Sequence, residues 1–164
     1  MQIAKPGFTD EITIDIASAD DLAAILELQY LAYQSEAILL NNFSIPPLKE
    51  TLEDVRKQCL SGIILKAVSP ENLIIGSIRG QVKEGTLFIG KLMVNPGYRG
   101  RGLGSRLLAE LEARCPQPRF ELFTSSKSVK NLVLYERSGY AQFMERQLSP
   151  DLRLIYLEKP GRKP

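Results

Sequence analysis

The sequence predicts one mixed α/β domain, on three observations. Three strand-like runs follow one another between residues 63 and 94 with no helix among them, which a repeated βαβ ladder does not produce. A strand then runs into a glycine-rich turn and an amphipathic helix between residues 92 and 113. The chain is 164 residues long, enough for one core and too short for a second domain of ordinary size. The expected domain spans residues 11–159. It lies between a flexible N-terminal arm at residues 1–10 and a tail at residues 160–164 that Pro160, Gly161 and Pro164 should fray.

Ile12, Ile14 and Ile16 alternate with Thr13 and Asp15, the two-residue period of a half-buried strand. Ser18, Asp20 and Asp21 mark a helix start, because acidic groups suit the positive end of the helix dipole. Leu22, Ile25, Leu26, Leu28 and Leu31 then recur at helical spacing. Asn41, Asn42, Pro46 and Pro47 interrupt the chain before a second helix at about residues 48–60, with Leu52, Val55 and Cys59 facing inward. Strands are expected at 63–68, 73–82 and 86–94, the last two joined at Glu84-Gly85 by a tight turn. A helix at 102–113 carries Leu103, Leu107, Leu108 and Leu111 on one side, and a Glu110–Arg114 pair supports the other. A strand at 120–124, a helix at 128–138 closed by Gly139, and strands at 140–147 and 152–157 complete the order.

Composition removes several chemistries. The chain contains no histidine, so one copy of it cannot build a serine–histidine triad or a histidine zinc site. Two distant cysteines, Cys59 and Cys115, are too few for a disulfide framework and suit a reducing cytoplasm. No apolar run approaches the roughly 20 residues of a membrane span, and no signal-peptide pattern opens the chain. The balance of 21 basic and 19 acidic residues is too even for a domain-wide nucleic-acid surface. No metal, membrane or nucleic acid is therefore expected.

The segment Asn95-Pro96-Gly97-Tyr98-Arg99-Gly100-Arg101-Gly102-Leu103-Gly104-Ser105 carries the chemistry. Glycines let successive amides point into one concavity, and a helix start adds free N–H groups and about half a positive charge. Arg99 and Arg101 add charge for a pyrophosphate. The usual nucleotide loops do not fit. Gly104-Ser105-Arg106 lacks the lysine of a P-loop, and Ser105 stands where a dinucleotide fingerprint needs its last glycine.

What fits is Arg-x-x-Gly-x-Gly, here Arg99-Gly100-Arg101-Gly102-Leu103-Gly104, preceded by a strand and Pro96. With this motif the sequence resembles the GCN5-related N-acetyltransferase (GNAT) family. The run Leu134-Tyr135-Glu136-Arg137-Ser138-Gly139-Tyr140 resembles that family's second signature, and the element order matches over about residues 12–158. The resemblance implies the acyl-CoA N-acyltransferase fold, a mostly antiparallel mixed sheet with helices on both faces. It also implies transfer of an acetyl group from acetyl-CoA to a primary amine of a small molecule, peptide or protein, by direct attack. A non-catalytic acyl-CoA sensor is the alternative.

Carried over residue by residue, the resemblance gives coenzyme contacts to Leu92, Met93, Val94, Arg99, Gly100, Arg101, Gly102, Leu103, Gly104 and Ser105. The Val94 amide is the expected oxyanion donor and Tyr135 the expected general acid. Ser128 replaces a frequent coenzyme-contacting asparagine and doubles as a candidate helix cap; Asn131, one turn on, is its substitute. Gly90 stands where the family often has a glutamate base, so the base comes from elsewhere, with Glu27, Tyr33 and Glu36 as candidates, from a water chain, or is unneeded for an amine that arrives neutral. Tyr33, Glu36 and Asn41 are expected on the acceptor wall, and a monomer or a homodimer paired through the last two strands is expected.

Overall fold

The computed structural model describes residues 11–162. The predicted arm at residues 1–10 and the last two residues of the predicted tail lie outside the described residues. Seven strands form one sheet: β1 (Thr13–Ile16), β2 (Ile63–Val68), β3 (Ile74–Lys83), β4 (Thr86–Val94), β5 (Arg119–Ser125), β6 (Ala141–Ser149) and β7 (Leu152–Pro160). Their order across the sheet is β1-β2-β3-β4-β5-β7-β6. Every neighbouring pair is antiparallel except β4 and β5. That parallel pair needs a crossover, and the helix α5 (Leu103–Arg114) supplies it.

The helices cover both faces. On one, Leu103, Leu107, Leu108 and Leu111 of α5 join Leu65, Ile78, Leu87 and Leu157 in the main core. The backbone of β3 lies close beneath them, since a Cβ on Gly76 or Gly80 would meet a leucine side chain of α5 at 3.0–3.4 Å. On the other, α1 (Leu22–Ala32) and α4 (Leu52–Ser61) bury Leu22, Ile25, Leu26 and Val55 against Ile64. The helix α6 (Val129–Arg137) seats Tyr135 in the main core, edge to face with Tyr140.

The single helix expected at 48–60 is two. A short turn of helix α3 (Pro46–Lys49) ends in extended Glu50, and α4 begins afresh because Thr51 caps it. The Thr51 hydroxyl accepts from the Asp54 N–H at 3.2 Å while the Asp54 carboxylate accepts from the Thr51 N–H at 2.8 Å, a reciprocal box that fixes the start. The helix expected through Leu22 to Leu31 is α1, and an additional short helix, α2 (Gln34–Leu40), follows it after Tyr33. β7 runs to Pro160, opposite Arg119, since a proline at a strand end forfeits little of the ladder.

Where α4 meets β2, Gly62 presses against β3. A Cβ there would lie 2.3 Å from the Gly80 carbonyl oxygen. Gly62→Ala is therefore expected to cost about 1–3 kcal/mol, read as a melting temperature several degrees lower. An unchanged melt would mean that the α4–β2 joint can yield.

Two irregularities in β4 shape the site. β4 pairs with β5 at Thr86–Arg119, Leu87–Phe120 and Phe88–Glu121 and then diverges from it. Between the pairs Ser77–Met93 and Arg79–Gly90, β4 has one residue more than β3, and Lys91 takes a left-handed φ of 50° in that bulge.

Candidate active site

The divergence of β4 from β5 leaves an opening beside residues 89–94. Asn95 donates its N–H to the Ile75 carbonyl at 2.7 Å, toward β3. Successive N–H groups of an extended strand point to opposite edges, so that of Val94 faces the opening. Leu92 and Val94 pack on the main core. The Met93 side chain is buried on the opposite face with Leu28 and Ala32.

Beyond Val94 the chain turns into the glycine loop. Gly100 and Gly102 take φ of 76° and 79°, and a Cβ on either would meet nothing within 4 Å. They are glycines for their backbone angles, and the space before them is open. Leu103 is 2% exposed and anchors the start of α5. Gly104 packs beside Leu134 of α6, and Ser105 lies exposed on the first turn. The loop thus presents a helix N-terminus with clear space in front, which fits a pyrophosphate.

The two arginines differ. Arg101 lies 5.8 Å over the Tyr98 ring. Arg99 donates to the Ala32 carbonyl at 2.8 Å, to the Ser35 hydroxyl at 3.1 Å and to the Val94 carbonyl at 3.3 Å. Its charge sits at the negative end of α1, so it ties the loop to the α1–α2 joint.

Tyr135 is 7% exposed. Burial first, and then the Glu36 carboxylate, push its hydroxyl above the usual tyrosine range. Glu36 accepts a 2.6 Å hydrogen bond from Ser128, whose side chain makes no cap bond to its own helix. Tyr33 is raised in the same way, by burial first and then by Tyr135. The structure therefore brings Tyr33, Glu36, Ser128 and Tyr135 together. Asn131 donates to the Thr124 hydroxyl at 3.3 Å. Asn41 lies apart, exposed, as the left-handed cap of α2 with φ 49°.

Sequence reasoning missed a second cluster. Arg79 donates to Glu50 at 2.6 Å, to Gln58 at 2.9 Å and to Gln29 at 2.5 Å. Glu50 also accepts from Gln29 at 3.1 Å and Gln58 at 2.9 Å, and Lys91 approaches it at 3.8 Å. The available signal was a lone arginine within the apolar run 74–80. A charge at a buried strand position needs a built partner set.

A glycine loop and helix start beside a splayed strand pair form a site that fits an anionic, pyrophosphate-bearing ligand. The chain belongs to the acetyltransferase (GNAT) family, whose model matches residues 22–140, and it is an acetyl-CoA-dependent N-acetyltransferase. It is 29% identical over 152 residues to the glucosamine 6-phosphate N-acetyltransferase of Trypanosoma brucei brucei, covering 87% of this chain and 97% of that one. The PaiA N-acetyltransferase of Thermoplasma acidophilum, solved with coenzyme A, superposes with a TM-score of 0.77 at 17% identity, over 91% of this chain and 98% of that one. The ribosomal-protein-S18-alanine N-acetyltransferase of Escherichia coli has a TM-score of 0.75 at 19% identity, over 93% and 96%. The expected fold class is thus borne out.

Proposed function

We propose that acetyl-CoA lies with its pyrophosphate on the amides of residues 100–105 and its thioester in the β4–β5 opening. There a primary amine attacks it directly. The observation that carries this reading is the divergence of β4 from β5 after Phe88, with the glycine loop at one side and Tyr135 close by. Acetyl-CoA supplies the activated acyl group, and the chain supplies position and electrostatics. Leu92 and Val94 offer backbone groups along the opening, and the Val94 N–H stabilises negative charge on the carbonyl oxygen as it develops. Arg101, Ser105 and Asn131 add coenzyme contacts, with Ser128 acting through Glu36.

Tyr135 donates a hydrogen bond to the departing sulfur. Glu36, placed by the Ser128 hydroxyl, attracts the acceptor's ammonium and takes its proton, in place of the glutamate that Gly90 replaces. No covalent enzyme intermediate is needed. Cys115 is pushed up by burial, away from the thiolate. The trypanosomal relative's named acceptor, a phosphorylated amino sugar, is the first amine to test. Two free cysteines support a reducing, cytoplasmic setting, as monomer or homodimer.

Isothermal titration with acetyl-CoA, coenzyme A and ATP tests the coenzyme reading, followed by thiol release with an amine panel. Both coenzyme forms should bind, ATP should not, and Arg101→Ala should weaken binding several-fold. Folded protein that takes up neither coenzyme form would overturn it.

A further inference from the structure

The cluster at Arg79 holds more positive charge than it uses. Beside α4, Gln58, Arg79, Gly90 and Lys91 line a pocket of about 190 Å³ together with Gln81, Phe88 and Ile89. Arg79 and Lys91 are cations, and the carboxylate beside them is that of Glu50. The Arg79 side chain is 6% exposed. Its two terminal nitrogens are satisfied, but its Nε is buried with no acceptor, the one side-chain polar atom so placed among the described residues. That atom is sealed from the pocket, so Arg79 lends the pocket its field and not a hydrogen bond. Burial lowers the affinity of Lys91 for a proton, and the pull of Glu50 on its cation outweighs the repulsion of Arg79. Gly90 adds room, since a Cβ there would meet nothing within 4 Å.

We infer that this pocket seats an anionic substituent of the amine acceptor, a phosphate monoester or a carboxylate, held by Lys91 in the field of Arg79. The assignment rests on the acetyltransferase reading and extends it to a substrate class. Two cations face the single carboxylate of Glu50, so a further negative group is favoured there and a further cation is not.

The test is isothermal titration of the coenzyme A-saturated protein with glucose, glucose 6-phosphate, glucuronate and inorganic phosphate. At least one anionic sugar should bind about tenfold or more tightly than glucose, and the tighter of the two identifies the source of the charge. Gly90→Glu places a carboxylate in open space, and Lys91→Gln removes a cation. Each should weaken the anionic sugar about tenfold to a hundredfold and leave glucose unchanged, with melting curves confirming the fold. Arg79 is kept, since its loss would strand Glu50. Anion affinity no better than that of glucose, or untouched by Gly90→Glu, overturns the assignment. Failure of the acetyltransferase reading shows separately, as absent coenzyme A uptake, with the anion titrations then run on the free protein.

Discussion

Tyr135→Phe is expected to lower kcat roughly 10²- to 10³-fold, with coenzyme A affinity and melting temperature little changed. The ring can keep its place in the core and its edge contact with Tyr140, whose centroid lies 6.2 Å away. Only the hydroxyl is lost. Burial and Glu36 raise that hydroxyl's pKa above the tyrosine range, so it keeps its proton through neutral and mildly alkaline pH. A free thiol has a pKa near 8.5 against about 10 for tyrosine. Complete proton transfer to the departing thiolate is therefore uphill, and the stabilisation comes from a hydrogen bond donated as charge develops. Such an interaction exists in the transition state alone, so kcat and kcat/KM should fall together. The wild-type profile should show no alkaline limb from Tyr135 below about pH 10. A phenylalanine variant retaining half the parent's turnover would leave Tyr135 as a core residue only.

The glycine loop and the Tyr135 signature were legible because each lies in one short stretch, and its chemistry follows from local backbone and helix geometry. The strand β2 at Ile63–Val68 and the strand β4 at Thr86–Val94 were placed to the residue, since alternation and turn residues bound them. The helix at 48–60 was misread. There the Thr51–Asp54 box, not the apolar spacing, sets the boundary. The contacts around Glu36, Arg79 and Arg99 were not legible, because they join distant segments. Ser128 and Glu36 are 92 residues apart, Arg79 and Gln29 are 50 apart, and Arg99 reaches back 67 to Ala32. Tertiary packing of helices and loops on the sheet creates those pairs, and no local period announces them. Arg99 shows the limit from the other side. Its motif position suggests an anion contact, whereas its guanidinium lies on the carbonyl end of α1.

Glu50→Ala is expected to destabilise the fold by about 3–5 kcal/mol, a drop of order 6–20 °C in melting temperature at the usual 2–4 °C per kcal/mol for a chain this size. The side chains of Arg79 and Glu50 are 6% and 12% exposed, far from the surface regime in which an ion pair contributes little. Removing the carboxylate strands a buried guanidinium whose Nε already lacks an acceptor. It also frees the Gln58 amide and leaves that of Gln29 with the Pro47 carbonyl alone. Charge and packing contributions separate with pH. Burial alone would raise the Glu50 carboxyl, but hydrogen bonds from Arg79, Gln58 and Gln29 outweigh it and hold the group below the usual glutamate value. A carboxyl depressed in the folded state contributes stability above its unfolded pKa and loses it as pH falls through the folded one. The gap between parent and Glu50→Ala should thus be full at pH 7 and narrow progressively once the pH falls below the ordinary glutamate value of about 4.3, closing as Glu50 itself protonates in the folded state at lower pH. A gap equally wide at pH 3.5 would assign the loss to packing. Because Glu50 also faces Lys91, the same carboxylate that stabilises the sheet and helices sets the charge left over for the acceptor.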